Sequence, residues 1–107
     1  MEQNEIETRI GLEIYRANRD GKICHRDYIF DILSPLGITM KDIDRCLTKM
    51  SDICMIDEDW ATLEDNRWVK SIRMTIEYIS RFKGLDIHLQ LETFYDEHTI
   101  NNESKGC

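Results

Sequence analysis

The fold is decided by residues 36–47, whose sequence is LGITMKDIDRCL. Gly37 lies in a turn, and Thr39 is placed to cap the helix that follows. Asp42, at the third helical position, can return a hydrogen bond to the backbone of the capping residue, as Glu does in the usual capping box. Over residues 40–51 apolar side chains recur at steps of three and four, so one helix face is apolar. The stretch therefore predicts a turn followed by an amphipathic helix.

Two further helices are predicted before this stretch. Apolar residues at steps of three and four predict the first helix over about 4–18. The second begins near Arg26 and ends before Pro35, because a proline biases the preceding residue away from helical angles. Between the two helices, the short apolar step at residues 23–25 fits a minimal strand. The N-terminal half therefore contains three helices in succession.

Residues after 51 predict a hairpin and another helix. Two short apolar segments flank acidic residues within 53–64, a pattern typical of a tight β-hairpin. A fourth helix is expected from residue 65 or 66 to Gly84. The segment 85–93 alternates apolar and polar residues, which favours a strand, although helical spacing is also present. The tail beyond Thr99 is expected to be loose.

This order of elements, with the turn and helix at residues 36–47, resembles the winged helix-turn-helix superfamily over residues 4–83. The resemblance implies a mostly helical α+β fold, with a three-helix core and a hairpin wing at 53–64. A C-terminal helix and a short C-terminal strand or helix would be added to it. We expect a single domain over residues 1–99, with a core at 4–65 and dimerisation elements at 66–99. A flexible tail, 100–107, is expected to follow it.

Composition narrows the class of protein. The 107 residues suit one domain, and no apolar run is long enough to cross a bilayer. The N-terminus lacks a secretion signal, so we expect a cytoplasmic protein without a membrane partner. The four cysteines and three histidines lack zinc-site spacing, and no nucleophile or phosphate-binding motif stands in a recognisable setting. The sequence therefore predicts no metal, no cofactor and no enzymatic activity.

The third helix carries the residues that point to DNA. Lys41, Arg45, Thr48 and Lys49 fall within an arc of roughly 100° opposite the apolar face, and Arg26 can add a phosphate contact. Long cations and a hydroxyl suit phosphates and base edges. The winged-helix resemblance implies that this helix enters the major groove. We therefore expect a DNA-binding transcription regulator, while an ordinary solvated helix face fits the same pattern.

The acidic residues point to a different partner. The net charge is −7, and residues 52–65 contain six acids and no base. Asp57, Glu58 and Asp59, at the expected wing, would repel phosphates. The alternative hypothesis is a protein-interaction module that docks on a basic protein or mimics the charge of a nucleic acid. Helix capping and solubility also account for many of these acids.

Assembly is the last sequence-based prediction. On the expected fourth helix, Trp68, Met74 and Tyr78 lie beside the core-facing stripe. A helix that is apolar over a second stripe often buries that stripe in a partner. We therefore expect a homodimer through these residues, although the same side chains could complete the core of the monomer.

Overall fold

The computed structural model has a mostly helical α+β fold with one antiparallel hairpin. It describes the backbone of residues 1–106 and the side chains of residues 1–92. The elements in chain order are α1 (Gln3–Arg19), α2 (Arg26–Leu33), a 3-10 turn (Ser34–Leu36), α3 (Met40–Asp52), β1 (Ile56–Thr62), β2 (Trp68–Met74) and α4 (Ile76–Gly106). No helix in the described backbone is both long and apolar enough to cross a membrane.

The first three helices confirm the predictions for the N-terminal half. In α1, Ile10 and Ile14 are fully buried, as the periodicity requires. At the start of α3 the Asp42 N–H donates to Thr39 Oγ1 and the Thr39 N–H donates to the Asp42 carboxylate, both over 3.1 Å. Gly37 has a φ of 87°, a left-handed angle that glycine adopts without a steric penalty. Local signals were sufficient to place this part of the chain.

The hairpin lies further along the chain than predicted. β1 and β2 pair from Ile56↔Met74 to Thr62↔Trp68, with a turn at residues 63–67. Asn66 takes the left-handed angle that this turn needs, with a φ of 66°. The prediction of a turn at Glu58 and Asp59 was therefore wrong, because both residues lie inside β1 and pair with β2.

The predicted fourth helix was wrong over residues 66–75, which form the second half of the turn and β2. Apolar residues at 69, 72 and 76 have helical spacing, but the strand alternates exposed and buried side chains towards its end, where Ile72 and Met74 reach the core. The inward face of this strand packs against α1 and closes the core. Burial against other elements therefore outweighed the local helical pattern.

The predicted minimal strand at 23–25 is reduced to one backbone contact. The Ile72 N–H donates to the Cys24 carbonyl over 2.7 Å, so Cys24 lies at the edge of β2 that does not pair with β1. The Asn18 side chain continues the same edge: its amide donates to the Ile72 carbonyl over 3.1 Å and accepts from the Met74 N–H over 2.8 Å. The Asn18 side chain, in the last turn of α1, thus forms hydrogen bonds with β2 that a neighbouring strand would otherwise form.

The chain after β2 forms one long helix. The predicted end at Gly84 and the favoured strand at 85–93 were both wrong, because α4 runs through them. A glycine inside a helix costs only about 1 kcal/mol relative to alanine, which tertiary contacts can offset. Those contacts include Asp86, which is 2% exposed and ion-paired with Arg16 and Arg19 of α1. The flexible tail predicted for 100–107 falls outside the described side chains and stays a prediction.

Candidate macromolecule-binding groove

The outward face of α3 contains the predicted DNA-contacting residues. Lys41, Arg45, Thr48 and Lys49 are all exposed, while the opposite face is buried in the core. The buried side chains of α3 are Ile43, Cys46, Leu47 and Met50. The capping box sets where the helix begins, and the apolar face then fixes its rotation. The structure therefore places the α3 cations on the surface, as the periodicity indicated.

Carboxylates lie beside most of these cations. Arg45 donates to Asp42 over 2.9 Å, and Lys49 donates to Glu7 of α1 over 2.8 Å. The Arg26 guanidinium makes two hydrogen bonds to the Asp44 carboxylate, over 3.0 and 2.7 Å. Thr48 donates its hydroxyl hydrogen to the Asp44 carbonyl one turn earlier. Lys41 makes no salt bridge within the described side chains.

The charge of the α3 surface is consequently balanced. The helix contains three cations and three aspartates, so its formal charge is zero. The hydrogen bonds of the Thr39 backbone N–H and side chain, and to a smaller extent the charge of Arg45, hold the pKa of Asp42 below its usual value. The Lys49 ammonium, by its hydrogen bond, likewise lowers the pKa of Glu7. Both carboxylates are therefore ionised at neutral pH and would face an approaching phosphate.

The acids of the alternative hypothesis are also partly paired. Glu58 lies 3.9 Å from the Lys70 ammonium, and Asp59 lies 3.8 Å from the Arg73 guanidinium across the hairpin. They point to opposite faces, because successive side chains alternate along a strand. Glu58 and Asp59 thus do not form the compact acidic turn that the sequence predicted. The negative charge is spread over both faces of the hairpin instead.

A groove separates α3 and the start of α2 from the inner face of the hairpin. We call it the α3–hairpin groove. Its volume is about 600 Å³. Trp60 and Trp68 form one wall and are 61% and 68% exposed. They are diagonal neighbours on the same face, because Trp60 pairs with Lys70 and Trp68 with Thr62. The Lys70 ammonium lies 5.8 Å from the centre of the Trp60 ring.

The tryptophans are exposed because the hairpin extends beyond the core. Ile56, Ile72 and Met74, at its base, are buried on the same face that carries the tryptophans at its tip. The α3 side of the groove contributes Leu47 and Thr48. The two exposed tryptophans thus line the same groove as Leu47 and Ile72, which are largely buried.

The rim of the α3–hairpin groove is acidic on balance. Four carboxylates line it, against two permanent cations. The acids are Asp27, Asp44, Asp52 and Glu58, and the cations are Arg26 and Lys70. Both cations already face a carboxylate, Arg26 at hydrogen-bond distance and Lys70 at the limit of an ion pair. The groove therefore favours a ligand with positive charge and an apolar or planar surface.

The residues predicted for the dimer interface do not share a surface. Trp68 lines the α3–hairpin groove, whereas Met74 is 5% exposed and belongs to the core of the monomer. Tyr78 lies on α4, where it packs against that core. The prediction that Trp68 and Met74 lie on the fourth helix was wrong, because β2 occupies the part of the chain that carries them.

Sequence reasoning missed the pairing of the two tryptophans and the role of Lys70. The available signal was the run 68–74, which contains Trp68, Val69 and Ile72 and alternates polar and apolar residues over 71–74. No model of a protein family matches this sequence, and no curated protein matches it either.

Proposed function

We propose that this protein is a winged-helix interaction module that binds a basic polypeptide segment in the α3–hairpin groove. The observation that carries the proposal is the exposure of Trp60 and Trp68 above an apolar floor with an acidic rim. The order of α1, α2, the turn at Gly37, α3 and the hairpin supports the winged-helix assignment, as does the Cys24 contact at the edge of β2.

Exposed tryptophans favour a protein ligand. An indole that stays in water loses the burial of a large apolar surface, so neighbouring exposed aromatic side chains are uncommon outside binding sites. Tryptophan is also enriched among the residues that contribute most to protein–protein affinity. Trp60 and Trp68 line the same groove as Leu47, an apolar residue.

The charge of the rim favours a basic ligand. Asp27, Asp52 and Glu58 would repel a phosphate chain that followed the groove. They would attract a lysine or an arginine, and an arginine can also stack on an indole ring. Lys70 beside Trp60 shows that a cation fits against this aromatic wall. The best-matched ligand is therefore a peptide segment with arginine or lysine next to an apolar residue.

Replacing Trp68 with alanine is expected to weaken binding of a basic peptide at least tenfold, because the peptide loses an aromatic contact surface. The probe is a fluorescein-labelled basic peptide selected for binding from a random library, and fluorescence anisotropy measures its affinity. Glu58→Gln should also weaken binding and reduce its dependence on salt. Trp68 is exposed, so the variant should keep the fold, which circular dichroism checks.

A matched control separates the groove from general acidity. Asp59→Asn removes the same charge as Glu58→Gln, but on the opposite face of β1, and should leave the affinity unchanged. Equal losses in the two variants would show that overall charge, not the groove, attracts the peptide. Peptide binding unaffected by Trp68→Ala would overturn the proposal.

DNA binding through α3 is the second candidate, favoured by the exposure of Lys41, Arg45 and Lys49 on one helix face. Exposed ion pairs are worth at most about 1 kcal/mol, so a phosphate can compete for these cations. The same anisotropy measurement with labelled duplex DNA at low salt is the test. Saturable binding that disappears in a Lys41→Ala/Arg45→Ala variant and persists in Trp68→Ala would establish DNA as the partner in place of a peptide.

We also propose that the protein forms a homodimer through α4. Ile87 and Leu91 are one helical turn apart and are 48% and 50% exposed. Light scattering should give twice the chain mass of 12.7 kDa. An Ile87→Glu/Leu91→Glu variant should be monomeric, because association would bury two charges in an apolar contact. Ile32→Glu, at an exposed position on α2, is the control; a monomeric native protein would contradict the proposal.

A further inference from the structure

A second concave site lies between α1, the C-terminal end of α3 and the first turns of α4. We call it the Met50 pocket. Its volume is about 340 Å³, within the range of about 300–1,000 Å³ that is typical of small-molecule sites. Met50 and Met55, both buried, line it together with Phe82 and Leu85. Methionine side chains are flexible and adapt to irregular apolar ligands.

A glycine helps to shape this pocket. A Cβ atom on Gly11 of α1 would lie 2.4 Å from Cζ of Phe82 and 3.4 Å from Cε of Met55. The absence of a side chain therefore lets the Phe82 ring lie directly on α1. A larger residue at position 11 would push the ring away from α1. The close approach of α4 to α1 thus depends on this residue.

The rim of the Met50 pocket is positive. Lys49 and Arg81 line it, and Glu7 is the one carboxylate among the lining residues, so their formal charges sum to +1. Lys49 already binds a carboxylate, that of Glu7, over 2.8 Å. The Arg81 guanidinium lies 5.6 Å from the centre of the Tyr78 ring and makes no salt bridge within the described side chains. A ligand anion can therefore reach a guanidinium that no described carboxylate occupies.

We propose that the Met50 pocket binds a small amphipathic monocarboxylic acid, with its apolar body on Met50, Met55 and Phe82 and its carboxylate on Arg81. A single negative charge matches the net charge of the lining, and an apolar body matches its floor. Arginine is suited to the anion because its planar donors can bind both carboxylate oxygens. This site does not depend on the function proposed for the α3–hairpin groove.

The methionines provide a direct test. The chain has five: Met50 and Met55 line the pocket, whereas Met1, Met40 and Met74 do not. Protein labelled with ¹³C at the methionine methyl groups is titrated with decanoate, below its micelle-forming concentration, and followed by NMR. Saturable shifts of the Met50 and Met55 signals are expected, with the Met1 and Met40 signals unchanged. Shifts of all methionine signals in parallel, or none that saturate, would overturn the proposal.

The role of Arg81 is tested by variants in which an arginine is replaced by the uncharged glutamine. Arg81→Gln should weaken decanoate binding about tenfold, because one charge-assisted hydrogen-bonding group is lost. Arg73→Gln removes the same charge from the hairpin and should leave binding unchanged. Decanol, which has the same chain without the carboxylate, should bind the native protein more weakly than decanoate. Equal affinities for the two ligands, or no effect of Arg81→Gln, would refute the carboxylate assignment.

Discussion

Replacing Asp86 with alanine is expected to lower the free energy of unfolding by about 3 kcal/mol, because it removes one partner of a buried ion pair. Asp86 is 2% exposed, and its carboxylate accepts hydrogen bonds from Arg16 over 2.9 Å and from Arg19 over 2.8 Å. Gln90 donates a further bond over 3.2 Å. The two arginines are part-exposed and can turn to water in the variant, which keeps the loss near the lower end of the range for buried pairs.

Urea unfolding followed by far-UV circular dichroism measures this effect. Glu77→Ala, at an exposed position on the same helix, removes a carboxylate with little burial and should change stability by less than about 0.5 kcal/mol. Asp86→Asn keeps the shape of the side chain and should fall between the two. If Asp86→Ala and Glu77→Ala unfold at the same urea concentration, the ion pairs do not hold α4 against α1.

Replacing Asn18 with alanine should cost about 2–3 kcal/mol, because it leaves two backbone groups of β2 without their partners. Its side chain donates to the Ile72 carbonyl and accepts from the Met74 N–H. Both contacts are part-buried, so water replaces them poorly. The same unfolding experiment measures the loss, and hydrogen exchange of the Met74 amide should become faster.

The Asn18→Asp variant tests the two hydrogen bonds of Asn18 separately. Asn18→Asp keeps the acceptor for the Met74 N–H but places a carboxylate against the Ile72 carbonyl, so the variant should remain destabilised. Asn4→Ala, at an exposed position near the start of α1, removes the same side chain without a strand contact and is the matched control. Stability unchanged in Asn18→Ala would show that β2 does not need this edge partner.

These two side chains illustrate why the sequence alone predicted only part of the fold. Asn18 was expected to help end α1, and Asp86 was expected in a separate strand or helix. Their partners lie 54 to 70 residues away in the chain. No local pattern connects such positions, since the contact exists only once the hairpin and α4 are packed against α1.

The features of the candidate sites also separate into those that local sequence predicts and those that depend on tertiary packing. Helical periodicity was enough to orient Arg45 and Lys49 outward on α3. The ion pair of Lys49 was not predictable, because Glu7 is brought beside it by the packing of α1 against α3. The α3–hairpin groove was missed because it depends on a hairpin that the sequence placed too early.

By itself the sequence determined the elements whose causes are local. The apolar spacing of α1 and α3, the capping by Thr39 and Asp42, and the turn at Gly37 all act within a few residues, so neighbouring side chains suffice to specify them. The tertiary structure decided the strand at 68–74 and the continuation of α4 past Gly84. There the local preferences are mixed, and burial of Ile72, together with the ion pairs of Asp86, selects one of the alternatives.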